Sequence, residues 1–391
     1  MTGPRKHYRL YAILSLAIIA LIVIAATRFN IKRHFEGVYI LKAGKGALIE
    51  LTDDIYLGDG SRLIWGMDLD YPVFHVGETK EELTKGPHLY YEWDSGEGGG
   101  YVRNFLPGGK ELVTCFSRFD DVDKQEHGLF VGGGLPASVR VDSALKLNET
   151  GMAYFDGKTW HHVWCSVNEG LASCISAQKV PSFKWKFLGS KVLQSTSRSL
   201  SIRSSHEVVM DGVPLGIDRY AYFNAGETFF VLSVIIKNTG KSPVSYYYCY
   251  GDEPWVGSYG TSAGNVGWVK DRVMDYVGWV DTSKYDFAGM YDCGNDAIGE
   301  GHDFSMTADF IEWLGNNRPE QAYFSNAPND FPKEGMKEPL SSNQRYIGIQ
   351  WGPRILRPGQ TERYSMAIGM AGHDPKTGFP VKPDINLKNT P

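Results

Sequence analysis

One stretch, residues 218–257, constrains the fold of this chain more than any other. Apolar and aromatic side chains alternate with a period of two along residues 230–237, and the alternation returns along residues 244–250. This period is typical of β-strands that bury one face. Between the two runs, the tetrapeptide NTGK supplies residues that tolerate the positive φ of a tight turn. The sequence therefore predicts a β-hairpin in the core of a large sandwich.

The composition of the 391-residue chain favours the same fold class. With 22 Tyr, 19 Phe, 10 Trp and 45 Gly, and few Ala-, Glu- or Leu-rich stretches, most of the chain is predicted to be strand and turn. We expect a mainly β protein built as a large antiparallel β-sandwich of the super-sandwich kind. Residues 181–205 are interpreted as an exposed strand that could mark a boundary within it. Further strands are predicted at 62–66, 88–93, 111–118, 138–147, 151–167, 273–280, 345–351 and 361–371.

Helical spacing is rare in this sequence. It occurs in one short segment at 78–85 and in the DFIEWL segment at 309–314. The second segment lies within residues 281–343, which otherwise show no regular pattern and are predicted to form a long loop. Long loops in compact domains are often functional.

The N-terminal region predicts a membrane anchor. A basic tail, residues 1–9, precedes 18 residues without a charge, residues 10–27. At about 1.5 Å per residue, this length nearly crosses a hydrocarbon core of about 30 Å. A cleaved signal peptide is the alternative, but its apolar region is shorter and the cleavage candidates here are marginal. We therefore favour a retained transmembrane helix with the apolar positions Leu10, Leu14, Ile18, Leu21 and Ile24.

The orientation of this anchor is predicted from its flanks. Basic residues stand on both sides of the span, so the positive-inside rule is nearly balanced. A short tail before a large folded domain usually stays inside. We expect a cytoplasmic N-terminus and a periplasmic or extracellular domain, residues 28–391, with membrane lipid and other transmembrane subunits as partners.

Charge and cysteine content exclude several functions. The net charge is −5 and the Lys and Arg residues are scattered, so no nucleic-acid binding is predicted. The five cysteines form no CxxC pair, which argues against zinc, a thioredoxin-like motif and attached haem, and no cofactor is predicted. Cys165 and Cys174 could form a disulfide in an oxidising compartment.

The strongest candidate site follows the second predicted strand. Asp252, Glu253 and Trp255 should emerge at a sheet edge, where binding residues are often placed. Trp279 and His302 complete the predicted ligand-binding set. Nearby carboxylates could also act as a general acid and base if two of them face each other about 5–10 Å apart, and these are Asp292, Asp296, Glu300 and Asp303. Solvated loop residues are the alternative, and no catalytic or metal-binding residue is assigned.

Two other clusters carry weaker signals. The WHHVWC segment at 160–165, with Tyr154 and Glu169, fits an aromatic core with a surface histidine better than a sugar-binding surface. The acidic run at 120–127 lacks the glycine and the final glutamate of an EF-hand. It is predicted to be a solvated loop rather than a calcium site.

Three segments carry a family resemblance. The NTGKSPV turn, the DEPW sequence after the second strand and the late LRPGQTERYSMAIG run resemble the large β-sandwich of galactose mutarotase-like proteins, over roughly residues 184–372. The resemblance implies a carbohydrate-active fold. That family opens a sugar ring with histidines and an acidic residue. No matching motif can be aligned here, so no catalytic residue is carried over.

Two functional hypotheses follow from the sequence. The first is a membrane-anchored, non-enzymatic extrinsic subunit with a structural or assembly role in a larger bacterial complex, for example a photosynthetic or respiratory one. The second is a cell-envelope protein that binds a glycan, or modifies one as an epimerase or glycosidase would.

Overall fold

A computed structural model of the chain describes twelve ranges of residues. These ranges are 86–94, 99–120, 126–131, 152–158, 160–173, 185–196, 198–257, 264–293, 304–327, 331–335, 337–341 and 345–385. Within them the chain is almost entirely antiparallel β, with one short 3₁₀ turn at Pro107–Gly109 as its helical segment. The predicted mainly β, sandwich-like fold is confirmed.

Twenty strands, numbered along the chain, form two ten-stranded sheets in the described ranges. Sheet A contains β1 (His88–Asp94), β2 (Gly99–Phe105), β3 (Glu111–Asp120), β4 (Glu126–Val131), β5 (Met152–Phe155), β6 (Trp160–Ala172), β11 (Val244–Gly257), β14 (Gly278–Val280), β17 (Gln321–Ser325) and β18 (Tyr346–Leu356). Sheet B contains β7 (Lys186–Ser195), β8 (Ser199–Met210), β9 (Val213–Asn224), β10 (Phe229–Asn238), β12 (Asn265–Val269), β13 (Arg272–Met274), β15 (Phe287–Asp292), β16 (Ala308–Trp313), β19 (Thr361–His373) and β20 (Pro380–Val381).

The two sheets pack face to face over an aromatic core. Phe116 of sheet A contacts Phe223 and Phe230 of sheet B edge-on, with ring centroids 5.9 and 5.7 Å apart. Tyr248 of sheet A stacks on Tyr364 of sheet B at 4.7 Å. Aromatic side chains therefore fill the space between the sheets, which explains the high aromatic content of the sequence.

The predicted hairpin between β10 and β11 is wrong, although both strands exist. β10 pairs with β9 and β19 in sheet B, whereas β11 pairs with β6 and β18 in sheet A. The NTGK turn therefore carries the chain from one sheet to the other. Both strands direct their alternating apolar side chains into the same core, so they face each other across the sandwich. A period of two identifies the buried face of a strand but not its neighbour.

Asn238 holds this crossover in place. Its side-chain amide donates hydrogen bonds to the carbonyl oxygens of Ser242 and Leu356, each at 2.8 Å, and its side-chain oxygen accepts one from the Gly240 amide at 2.9 Å. Its backbone carbonyl accepts a hydrogen bond from Gly359 at 2.9 Å. The buried Asn238 thus links the β10–β11 connection to the β18–β19 connection, which also passes between the sheets.

The other predictions of strands, helical segments and loops have mixed outcomes. The strands predicted at 88–93, 111–118, 345–351 and 361–371 are confirmed as β1, β3, β18 and β19. The helical segment predicted at 309–314 is wrong, because this segment forms β16, whose two faces are both covered. The loop predicted at 281–343 also contains β15 and β17. The predictions at 62–66, 78–85 and 138–147 lie outside the described residues.

The described ranges contain no helix with the length and apolar character needed to cross a bilayer. The predicted anchor at 10–27, with Leu10, Leu14, Ile18, Leu21 and Ile24, lies outside those ranges. Cys174 of the predicted disulfide also lies outside them, and the side chain of Cys165 is not described.

Candidate functional site

Asp252 lies near the end of β11 and is fully buried. Neither of its carboxylate oxygens has a hydrogen-bond partner among the described residues. Burial raises the pKa of Asp252 well above its ordinary value, and the nearby carboxylates of Asp309 and Glu253 raise it further. The sequence predicted an exposed sheet edge here. The structure instead buries the side chain, because β11 continues to Gly257. Its role in ligand binding stays a prediction.

Replacing Asp252 with asparagine should make the folded state less sensitive to pH. A buried acid with a raised pKa contributes most to stability at low pH, and this contribution is lost as the pH rises through the folded-state pKa. The variant cannot ionise, so its stability relative to the wild type should increase with pH. The increase should approach about 1.4 kcal/mol per pH unit above the ordinary pKa near 3.9. Urea unfolding between pH 4 and pH 8 measures it.

The exposed Asp271 provides the control for this experiment. Asp271→Asn is measured over the same pH range as the reference for an Asp-to-Asn change at the surface. A constant difference between Asp252→Asn and the wild type would show that Asp252 ionises in the folded protein as it does in the unfolded chain.

Asp292, a second carboxylate from the predicted site, is also buried and is tied to its surroundings. The backbone amide and hydroxyl of Ser305 donate to Oδ2 at 2.8 and 2.6 Å, and the Asn265 amide donates to Oδ1 at 3.3 Å. Burial raises the pKa of Asp292, and the Ser305 hydrogen bonds oppose that rise. A Cβ at Gly257, where φ is 123°, would lie 2.4 Å from Oδ2. Asp292 therefore joins β11, β12 and the segment after β15.

The WHHVWC segment contributes to the core, as the preferred interpretation predicted, but the histidine that the structure describes there is not at the surface. His161 is buried, and its Nε2 lies 3.0 Å from Oδ2 of Asp156. Tyr154 is buried and stacks on His161, with ring centroids 6.4 Å apart. Glu169 binds Arg219 inside the sandwich. Tyr154 and Glu169 therefore do not form an exposed sugar-binding surface.

The remaining residues of the predicted site do not form a described cluster. Glu253 is half-buried on β11. Nothing is described of the Trp255 side chain, and His302, Asp296, Glu300 and Asp303 lie outside the described residues. Of the acidic run at 120–127, the structure describes the backbone of residues 120, 126 and 127, which end β3 and begin β4, but not their side chains. Among the described residues, no group of three or more His, Cys, Asp or Glu side chains is arranged to hold a metal ion.

Trp279 is the predicted site residue that the structure exposes. It lies on β14, at one end of sheet A, with 42% of its surface accessible. Its ring is nearly parallel to that of Phe331, at 6.3 Å, and contacts the edge of Tyr323 at 5.5 Å. In this cluster of three rings, which we name the Trp279 platform, Trp279 is exposed, Phe331 is half-buried and Tyr323 is buried beneath them. Such a surface can stack on the apolar face of a ligand.

A cleft on sheet B was not predicted from the sequence. It has a volume of about 620 Å³ and is lined by Trp268, Phe287 and Trp313, together with charged side chains. Its cations are Lys270, Lys284, Arg318 and Lys382, and its carboxylates are Asp286 and Asp384. We name it the outer cleft. Its volume falls within the range of about 300–1,000 Å³ that is usual for small-molecule sites.

Lys382 fixes one wall of the outer cleft. Its Nζ lies 2.5 Å from Oε2 of Glu312 and donates to the Pro383 carbonyl at 3.0 Å. The same Nζ lies 5.9 Å from the ring centroid of Phe287 and 5.8 Å from that of Phe310. These contacts hold the segment after β20 against sheet B. No local motif could have predicted the cleft, because four separate segments of the chain line it.

Comparison with known proteins identifies no family for this chain. No protein family matches the sequence, and no curated protein matches it. Solved structures show a weak resemblance. A galactose mutarotase-like protein from Clostridium acetobutylicum is 9% identical, with a TM-score of 0.36, over 73% of this chain and 99% of that chain.

Two further structures resemble the chain to a similar degree. A candidate aldose 1-epimerase from Klebsiella pneumoniae is 11% identical, with a TM-score of 0.38, over 82% of this chain and 93% of its own. An alpha-galactosidase from Geobacillus stearothermophilus is 9% identical, with a TM-score of 0.35, over 72% of this chain and 40% of its own. The weak mutarotase-like resemblance predicted from the sequence is therefore confirmed, and no residue role is taken from it.

Proposed function

We propose that this chain is a membrane-anchored, non-enzymatic extrinsic subunit of a larger bacterial membrane complex, such as a photosynthetic or respiratory one. In this proposal residues 10–27 form one transmembrane helix that precedes a super-sandwich, with the N-terminus in the cytoplasm and the sandwich on the periplasmic or extracellular side. Membrane lipid and other transmembrane subunits are its partners.

The observation that supports this proposal most is an exposed apolar edge of sheet B. Leu188 and Leu193 of β7 are 56% and 47% exposed, and Val209 of the neighbouring β8 is 58% exposed. β7 is the terminal strand of sheet B in the described residues. Large apolar side chains exposed on an edge strand and on the strand beside it are typical of a surface that binds another protein.

The geometry of β7 favours docking through side chains over extension of the sheet. The pairing of β7 with β8 shifts register at Leu188 and again at Leu193, so both leucines occupy β-bulges. Lys186 and Lys191 lie on the same strand and are exposed. Bulges and lysines on an edge strand hinder the addition of another strand. The leucine side chains remain available to a partner.

Replacing both leucines with serine should release the subunit from its complex. Because both side chains are exposed, each substitution should change the free energy of unfolding by no more than about 0.5 kcal/mol. We expect Leu188→Ser/Leu193→Ser to be inserted in the membrane but to migrate at a lower mass than the wild type after gentle solubilisation. Val273→Ser/Ile355→Ser is the matched control, since these side chains are 42% and 70% exposed elsewhere. An unchanged mass for the leucine variant would exclude this edge as the contact surface.

The Trp279 platform favours a second candidate function, glycan binding at the cell envelope. Its exposed ring could stack on a pyranose face. Screening the purified chain and Trp279→Ala on a glycan array tests this function. Binding to a sugar that the variant loses would support it, and no binding to any sugar would leave it without support.

A further inference from the structure

We propose that the outer cleft is a binding site for a small phosphate ester. This inference goes beyond the proposed function and does not depend on it. It rests on the charges that converge at the cleft and on its aromatic walls.

Three cations of the outer cleft are exposed and come from three separate segments. Lys270 follows β12, Lys284 lies in the turn before β15, and Arg318 follows β16. Among the described residues, none of the three has a carboxylate oxygen within 4.0 Å. Lys284 interacts electrostatically with Asp281 at a longer distance, but none of the three cations is held in a short ion pair that a ligand would have to break.

The fourth cation serves the fold instead. Lys382 is paired with Glu312 and lies near two aromatic rings, so it fixes the wall of the cleft. Burial raises the pKa of Glu312, and the ion pair with Lys382 opposes that rise. The negative charges of Asp286 and Asp384 raise the same pKa further. Of the three carboxylates, Glu312 is the one paired with Lys382 among the described residues. This leaves the other three cations as the candidate anion-binding groups.

The chemistry of these cations favours a phosphate ester over a simple carboxylate. A guanidinium such as that of Arg318 binds two phosphate oxygens at once, and lysines act as point charges on the others. A phosphomonoester carries up to about two negative charges at neutral pH. Three cations therefore attract it more strongly than they attract a carboxylate, which carries one. The aromatic side chains of Trp268, Phe287 and Trp313 can contact the organic part of the ligand.

Calorimetric titration of the purified full-length chain in detergent tests the proposal. The probes are glycerol 3-phosphate as a monoester, glycerophosphoglycerol as a diester of the lipid-headgroup type, inorganic phosphate, and glycerol. We expect at least one ester to bind, and both inorganic phosphate and glycerol to bind at least tenfold more weakly. Tighter binding of the diester would assign the site to a lipid headgroup, and tighter binding of the monoester to a soluble ester.

Two charge variants locate the site. Lys270→Gln/Lys284→Gln/Arg318→Gln should weaken ester binding at least tenfold. Lys191→Gln/Lys237→Gln/Lys241→Gln removes the same charge from exposed positions elsewhere and should leave binding unchanged. The proposal would be overturned if neither ester binds, if inorganic phosphate or glycerol binds as tightly as the esters, or if both triple variants bind like the wild type.

Discussion

Replacing Arg219 with methionine is expected to lower the free energy of unfolding by about 3–5 kcal/mol, because the change leaves a buried charge without its partner. Arg219 of sheet B binds Glu169 of sheet A through two hydrogen bonds, at 3.0 and 2.5 Å, and the Tyr248 hydroxyl donates to the same carboxylate at 2.9 Å. Both side chains of the pair are almost completely buried.

The loss should also depend on pH. Burial raises the pKa of Glu169, and the charge of Arg219 and the hydrogen bonds from Tyr248 and Arg219 oppose that rise. Without Arg219 the folded-state pKa rises further, so the variant is least affected at low pH, where Glu169 is protonated. Its stability should fall as the pH rises through that pKa. Urea unfolding at pH 5 and pH 8 measures both effects.

A second ion pair of sheet B provides the control. Arg203 binds Asp218 with distances of 3.0 and 2.8 Å, but its side chain is 41% exposed. Arg203→Met should therefore cost less than about 1 kcal/mol. Glu169→Gln/Arg219→Met should recover much of the loss, because it removes the orphaned charge. If the double variant is as unstable as Arg219→Met, packing around Arg219 rather than an unpaired charge is responsible.

Replacing Asn238 with aspartate should destabilise the fold by about 3 kcal/mol or more. The change removes the two hydrogen bonds that the amide donates to Ser242 and Leu356, and it places a carboxylate against two carbonyl oxygens, of which that of Leu356 is buried. Because these bonds join the two connections that cross between the sheets, both connections should loosen. Hydrogen exchange at Gly240 and Gly359, whose amides bind Asn238, should accelerate with the loss of global stability.

Asn316 is the matched control for this substitution. It lies exposed in the turn after β16, and Asn316→Asp should change stability by no more than about 0.5 kcal/mol. Equal stability of Asn238→Asp and the wild type would show that the crossover does not depend on this amide.

Alternation of side chains predicted the strands, but it did not predict which strands pair. The period of two along β10 and β11 was correct, as was the buried face of each strand. The hairpin was wrong because the NTGK turn is compatible with a hairpin and with a crossover between sheets. The choice depends on β9, β19, β6 and β18, which occupy the edges of the two strands and are distant in sequence.

The candidate sites were predictable only in part. Trp279 was included in the predicted ligand-binding set, and the structure exposes 42% of its surface. Asp252 was predicted at a sheet edge because the alternating pattern ends just before it, whereas β11 continues beyond it to Gly257. The outer cleft had no signal in the sequence, since its cations converge only when β12, β15, β16 and the segment after β20 come together.

The central proposal, a membrane-held subunit of a larger complex, is tested most directly by the apparent mass of the native chain. The measurement is gentle solubilisation of native membranes, followed by sizing and identification of the proteins that stay bound. We predict that the chain sediments with the membrane before solubilisation and then migrates with other membrane proteins, well above its own mass of 43.6 kDa plus detergent. A monomer without partners, or a chain found in the soluble fraction, would contradict the proposal.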